Sequence, residues 1–159
     1  MLYHSKYFDM VHYSESLLAL YTRDLNKLKE ELSLYTNESN IWRIEPNISN
    51  SAGNLTLHLL GNLNHFIGSE LGKTGYIRDR DAEFEKNNIK RHTLIDDIDA
   101  TIGMLIDVLG SLGNTDLDKE FPLHIQNKKS STGNTLIHLY GHLAYHLGQV
   151  NYHRRLIDK

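Results

Sequence analysis

The sequence has 159 residues, with 17 lysines and arginines against 20 aspartates and glutamates, ten histidines and no cysteine. This length predicts a single domain over residues 1–159, large enough to bury a core without disulfide or metal crosslinks. The formal net charge of −3 provides no general basic field. We therefore expect neither nucleic acid nor a membrane surface as a partner. Without cysteine, metal ligands are limited to histidine, aspartate and glutamate.

The sequence has no feature typical of export or membrane insertion. The first residues, MLYHSKYFDMVHYSESLL, lack a basic segment followed by an apolar one, and nowhere do eighteen apolar residues follow one another. We expect a soluble, cytoplasmic protein.

Two segments have apolar residues at alternating spacings of three and four, which is the period of one face of an α-helix. The first runs from Leu18 to Tyr35 and predicts a helix that starts near Tyr7 and ends at the polar run 36–40. The second runs from Ile95 to Leu112 and ends among glycines, which suit the end of a helix.

Two further helices are predicted over about 54–72 and 134–157, where leucines recur at helical spacing after Ser/Thr-Gly-Asn sequences that suit a helix start. Both prolines, Pro46 and Pro122, fall between the four predicted helices, and no segment alternates apolar and polar residues. The sequence therefore predicts an all-α fold, with four long helices packed as a bundle.

An internal repeat relates the second and fourth predicted helices. Residues 53–62, GNLTLHLLGN, resemble residues 133–142, GNTLIHLYGH. In this register His58 matches His138, and Asn62 takes the place of His142. The two helices also hold six of the ten histidines, namely His58, His65, His138, His142, His146 and His153.

The spacing of these histidines suggests a metal site. His138, His142 and His146 are four residues apart and share one face of the last helix. The pair His142 and His146 has the spacing that lets two imidazoles on adjacent turns bind one divalent ion. The other repeat helix can supply a third ligand through His58, with His65 as the reserve candidate.

Three motifs together resemble the DinB/YfiT-like family. They are GNLTLHLLGNLNH on the second predicted helix, HLYGHLAYHLGQVNYHRRL near the C-terminus, and the tryptophan-containing loop 42–46. The resemblance extends over most of the chain, and the matching elements occur in the same order. It implies a four-helix bundle in which a long crossover joins two pairs of helices.

The resemblance also implies a divalent metal held by three histidines, one from the second helix and two from an HxxxH sequence on the last. Carried over residue by residue, the ligands are His58, His142 and His146. His138 matches a frequent histidine that does not bind the metal. The Gly148-Gln149 pair matches as well. Relatives often have an acidic residue directly after the first histidine of HxxxH, where this chain has Leu143.

The function implied is that of a metal-dependent enzyme with a small-molecule substrate. Characterised members are thiol-dependent transferases and isomerases, and many others are regarded as metal-dependent hydrolases. Three neutral imidazoles leave coordination positions open, as in catalytic sites. The metal could therefore activate water or a low-molecular-weight thiol, which must be a cosubstrate because the chain has no cysteine. Zinc and nickel are the expected metals, and imidazole also suits copper and iron.

Two other classes of function stay open. One is a metal- or ligand-binding helical bundle without turnover, which the leucine at position 143 allows; it could form a homodimer. The other is a metal-free structural bundle, in which the three imidazoles are simply hydrogen-bonded in the interior.

The remaining polar residues have a functional and a structural interpretation. Asn62 could hydrogen-bond a metal-bound water or substrate, or make a polar contact between helices. Arg78 and Arg80 could bind an anionic substrate group, although a solvated charge cluster is the simpler interpretation. His65 and His138 are expected to surround the metal ligands without binding the metal, or to have structural roles. The other five histidines are predicted to be solvated: His4, His12, His92, His124 and His153.

Tyrosines and glycines on the repeat helices also allow two interpretations. Tyr140, Tyr145 and Tyr152 could line the mouth of a pocket, but tyrosines at helical spacing usually pack. Glycines inside helices cost about 1 kcal/mol each relative to alanine. Three glycines lie inside these helices: Gly61, Gly141 and Gly148. Close approach of another helix, or space needed at the metal site, would compensate for their cost.

Overall fold

The computed structural model describes residues 13–124 and 128–159, and the predicted all-α class is confirmed there. Neither range contains a β-strand; Glu120 and Ser131 form an isolated bridge. No helix in these ranges has the length and apolarity needed to cross a lipid bilayer. The α-helices are α1 (Tyr13–Ser33), α2 (Ala52–Leu63), α3 (Arg80–Glu85), α4 (Arg91–Gly110), α5 (Asn114–Leu117) and α6 (Thr132–Ile157).

The four longest helices correspond to the four predicted ones. The predicted start of the first helix near Tyr7 lies outside the described residues. Helices α1 and α2 do not share a principal contact; each packs against both α4 and α6. The apolar residues that set the helical period meet between these four helices. Fully buried examples are Leu25 of α1, Leu59 of α2, Ile98 of α4 and Leu143 of α6.

The two repeat helices begin in the same way, as their matching sequences predict. The Ser51 hydroxyl accepts a hydrogen bond from the Asn54 backbone at the start of α2, and Ser131 does the same for Asn134 at the start of α6. The tryptophan loop packs on the first of these ends. A Cβ atom at Gly53 would lie 2.6 Å from the Trp42 ring, so glycine is required at that position.

The second predicted helix is not uniform. Its α-helical part ends at Leu63 and continues as a π-helix over Asn64–Ser69. The Asn64 amide donates to the Leu60 carbonyl and to the Thr101 hydroxyl of α4. This side chain therefore ties the junction to a neighbouring helix.

The short helix α3 was not predicted, and it is fastened to α2. Asp79 caps its first turn by accepting from the Ala82 backbone. The buried Asn54 amide of α2 donates to the carbonyls of Glu83, Phe84 and Lys86 at 2.9–3.2 Å. These bonds attach α3 to α2.

The prediction that His153 is solvated is wrong. This α6 side chain is only 4% exposed. Its Nε2 lies 2.9 Å from the Arg43 carbonyl, which can only accept, so Nε2 carries the proton and Nδ1 accepts from the Tyr35 hydroxyl at 2.6 Å. Burial lowers the pKa of His153. His92 and His124 are exposed, as predicted, whereas His4 and His12 lie outside the described residues.

We predict that His153 makes the metal-free protein less stable in acid. Its pKa is lower in the folded chain than the value of about 6.5 expected when unfolded. Its stabilising contribution is therefore complete above about pH 6.5 and is lost as the pH falls toward the folded pKa. His153→Gln can make the same two hydrogen bonds without titrating. Denaturant unfolding should show wild type losing up to about 1.4 kcal/mol per pH unit more than the variant in that window. If the free energies of unfolding of wild type and His153→Gln change equally with pH, the prediction is contradicted.

Candidate metal centre

Helices α2 and α6 lie side by side and run antiparallel. Near the start of α2, Leu55 shares a cleft of about 320 Å³ with Gln149 and His153 of α6. One turn further along α2, His58 lies beside His142, which comes earlier in α6. These contacts occur in opposite order along the two helices, so the helices are antiparallel. The two repeat segments therefore face each other.

The structure brings the three predicted metal ligands together in this interface. The Nε2 atoms of His58 and His142 are 3.0 Å apart. One nitrogen from each of His58, His142 and His146 falls within 4.8 Å of the others. The ring centroids are separated by 4.4–5.3 Å.

This histidine cluster fits a divalent metal ion in size and donor type. Zinc binds imidazole nitrogen at about 2.0–2.1 Å, so tetrahedral ligands lie about 3.4 Å apart. The His58–His142 separation of 3.0 Å and the upper limit of 4.8 Å for the three nitrogens lie on either side of this value. Three nitrogen donors suit zinc, nickel, copper or iron.

The surroundings of His58 and His142 favour the neutral form of the imidazole, which is the form that binds metal. His58 is buried, and His142 and His146 are half-buried. Burial lowers the pKa of His58. Burial, together with the neighbouring His146, lowers the pKa of His142 to about 4. Protons therefore compete weakly with a metal at these two side chains near neutral pH.

His58 is oriented by a carboxylate that sequence reasoning missed. The Glu83 Oε2 atom lies 2.9 Å from His58 Nδ1, and the Arg78 guanidinium forms two bonds to Glu83, at 2.7 and 2.9 Å. Arg78 Nη2 also lies 3.3 Å from Nδ1, but the shorter contact is with the Glu83 carboxylate oxygen, which accepts. Nδ1 therefore carries the imidazole proton and the Nε2 lone pair faces the cluster. No local pattern reveals this contact, because His58 and Glu83 are 25 residues apart.

The interpretation of Arg78 and Arg80 as a solvated charge cluster is wrong for Arg78, because Arg78 pairs with a buried carboxylate. Glu83 is 5% exposed and Arg78 is half-buried. Arg78 directs Nε and Nη2 to Glu83, so these two donors are not available to an anionic substrate group. Arg80 is exposed and lies over the Phe84 ring at 5.7 Å.

His146 is oriented by the next turn of its own helix. Its Nδ1 atom lies 2.5 Å from the Oε1 atom of Gln149. The amide oxygen accepts, so Nδ1 donates and Nε2 is left for the cluster. The predicted Gly148-Gln149 pair thus includes a residue that fixes the tautomer of a candidate ligand.

The remaining histidine candidates lie outside the three-histidine cluster. His138 is exposed. His65, the reserve ligand, is half-buried beside the Phe66 ring. Leu143, which directly follows His142, is fully buried in the apolar core. The carboxylate next to the cluster comes from Glu83.

The three tyrosines differ in their environments. The Tyr140 hydroxyl bonds to Asp24 and Arg23, and its ring packs edge-on against Tyr21, so it has a packing role. Tyr145 is 65% exposed and its ring lies 5.3 Å from that of His146. Tyr152 is also exposed, at the cleft beside Gln149.

The fold and the cluster together define an all-α protein with a candidate three-histidine metal centre. Comparison with family models assigns residues 11–159 to the family described as "Protein of unknown function (DUF1572)". The chain belongs to that family. No curated protein matches it.

We predict that alanine has opposite effects at the two repeat-related glycines. A Cβ at Gly61 would lie 2.0 Å from Glu83 Oε1, whereas one at Gly141 meets nothing within 4 Å. Close approach therefore explains Gly61, but not Gly141 or Gly148. Gly61→Ala should displace Glu83 and lower both the melting temperature and metal affinity. The control Gly141→Ala should raise stability by up to about 1 kcal/mol. Equal effects in thermal unfolding and metal titration would refute this explanation.

We predict that Glu83→Gln weakens metal binding by about tenfold or more, because the charged partner of His58 and Arg78 is lost. Competition with a chromophoric chelator measures the affinity. Glu85→Gln is the matched control, because Glu85 is an exposed residue of the same short helix. Equal affinities for the two variants would show that Glu83 does not support the site.

Proposed function

We propose that this protein is a divalent-metal-dependent enzyme that binds its metal through His58, His142 and His146 and acts on a small-molecule substrate. We also propose that its long helices form a bundle of the DinB/YfiT-like type. The observation that carries the proposal is the convergence of three imidazoles from two helices, with the lone pair of His58 directed inward by Glu83.

A divalent ion with open coordination positions supplies either an activated water for hydrolysis or a site that holds a thiol as thiolate. The protein residues hold three imidazole donors in place, and Glu83 and Gln149 accept from Nδ1 of His58 and His146. Glu83 contacts Nδ1 of His58, on the side of the ring away from the cluster, and is also bonded by Arg78. Its role is therefore orientation rather than proton transfer to substrate. Zinc or nickel is the proposed metal.

Exposed rings beside the cluster support a small organic substrate. The Phe84 ring lies 5.1 Å from that of His58, and the Tyr145 ring lies 5.3 Å from that of His146. Both rings are at least 36% exposed. Apolar surface next to an open metal site is suited to binding the non-reacting part of a substrate.

We predict that His146→Ala loses stoichiometric metal. Removing one of three nitrogen donors leaves two on the ion, whereas the control His138→Ala removes an exposed histidine of the same helix. Tag-free proteins reconstituted separately with zinc and nickel should be compared by elemental analysis. Wild type and His138→Ala should retain about one ion per chain, and His146→Ala well below that. A metal-free wild type, or full occupancy in His146→Ala, would reject the ligand set.

Turnover distinguishes an enzyme from a binding protein. The metal-loaded wild type should be tested for hydrolysis of esters and amides and for transfer of low-molecular-weight thiols to electrophiles. Turnover that disappears with the metal supports the enzyme. Full occupancy without turnover across both panels would favour a binding protein.

A further inference from the structure

The cleft that Leu55 shares with Gln149 lies between α6 and the loop that precedes α2. Its volume of about 320 Å³ is within the range of small-molecule sites. We call it the loop cleft. One wall is the loop 47–50 with Leu55 of α2, and the other wall is formed by Gln149, Tyr152, His153 and Leu156 of α6.

The loop cleft adjoins the histidine cluster through Gln149. This side chain lines the cleft, and its Oε1 atom lies 2.5 Å from Nδ1 of His146. On the opposite wall, Leu55 precedes His58 by three residues, as Gln149 follows His146 by three. The cleft therefore begins about one helical turn, roughly 4.5 Å along the axis, from two of the three candidate ligands.

An exposed face of α6 leads from the cluster to the loop cleft. Tyr145, Gln149, Tyr152 and Leu156 are separated by four, three and four residues, so they lie on one side of the helix. All four side chains are exposed. The Tyr145 ring lies 5.3 Å from that of His146, and the last three residues line the cleft. A molecule bound at the metal can therefore extend along this face into the cleft.

The loop cleft is polar but uncharged. Among the described residues that line it there is no aspartate, glutamate, lysine or arginine. Both ring nitrogens of His153 are hydrogen-bonded, and burial lowers its pKa, so this ring is neutral near pH 7. The remaining polar groups are the amides and hydroxyls of Asn47, Ser49, Asn50, Gln149 and Tyr152. An ion that entered the cleft would lose hydration without gaining a charged partner.

Gln149 is able to contact the histidine cluster and a ligand at the same time. Its Oε1 atom accepts from His146, which leaves the NH₂ group of the same amide as a donor. A carbonyl or hydroxyl oxygen of a ligand in the cleft can accept from that group. Tyr152 and Leu156, which are 63% and 52% exposed, supply apolar surface beside it.

We propose that the loop cleft binds the non-reacting part of the substrate, and that this part is an uncharged group with an amide or hydroxyl function and an apolar portion. This inference rests on the proposed function and narrows its substrate class. Gln149 donates to the polar function, and Tyr152 and Leu156 contact the apolar portion.

The test uses Co²⁺-loaded protein and three probes that share a metal-binding hydroxamate. Acetohydroxamic acid has no tail, adipic acid monohydroxamate ends in a carboxylate, and the amide of the latter ends in a carboxamide. Dissociation constants are measured from the visible spectrum of the metal. Wild type should bind the amide-ended probe about tenfold more tightly than either of the others, the usual effect of one hydrogen bond.

Two variants and a control locate this preference in the loop cleft. Tyr152→Ala should lose the gain in affinity from the amide-ended tail and keep its affinity for acetohydroxamic acid. Tyr13→Ala should keep both, because it removes an equally exposed tyrosine, 64% against 63%, from α1. Ser49→Lys introduces a cation at an exposed position of the cleft and should make the carboxylate-ended probe the tighter of the two tailed probes.

The outcomes separate the cleft from the metal centre. A tail that adds no affinity in wild type, equal affinities for the two tailed probes, or an unchanged preference in Tyr152→Ala or Ser49→Lys overturns this inference alone. A wild type that does not bind Co²⁺, or whose Co²⁺ spectrum does not respond to acetohydroxamic acid, overturns the proposed function with it.

Discussion

The burial of the Glu83 carboxylate is the constraint on which the candidate metal centre depends. A buried carboxylate is costly unless it is paired and hydrogen-bonded. Arg78 supplies two bonds and His58 supplies the third. The carboxylate can approach α2 this closely only because residue 61 lacks a Cβ. The same contact that satisfies this charge sets the tautomer of His58, so the electrostatics of the fold and the orientation of a candidate ligand have one cause.

The internal repeat produces two similar helices with different tasks. Both begin with a serine cap, yet only α2 is covered by a short helix that brings a carboxylate to its histidine. Its repeat counterpart, His138, is exposed. The antiparallel pairing places the His58 turn against His142 and His146 instead. The cluster is therefore asymmetric although the two sequences that build it are alike.

The parts that sequence predicted well depend on contacts close along the chain. Apolar spacing located the four long helices because one helical face meets the core at regular intervals. The i, i+4 pair on α6 could be recognised because adjacent turns carry both rings. The predictions failed where burial is decided by distant segments. His153 packs against Tyr35, which lies 118 residues away. Arg78 pairs with Glu83, which is held against α2 by His58, 25 residues away.

The sequence by itself determined the all-α class, the helix faces and the concentration of histidines in two related helices, because each is a property of local spacing. Only the tertiary structure decided which nitrogens converge and that Glu83 orients His58. Those features require segments that are far apart in sequence to meet. Burial and hydrogen bonding, rather than residue type, then assign each polar side chain its role.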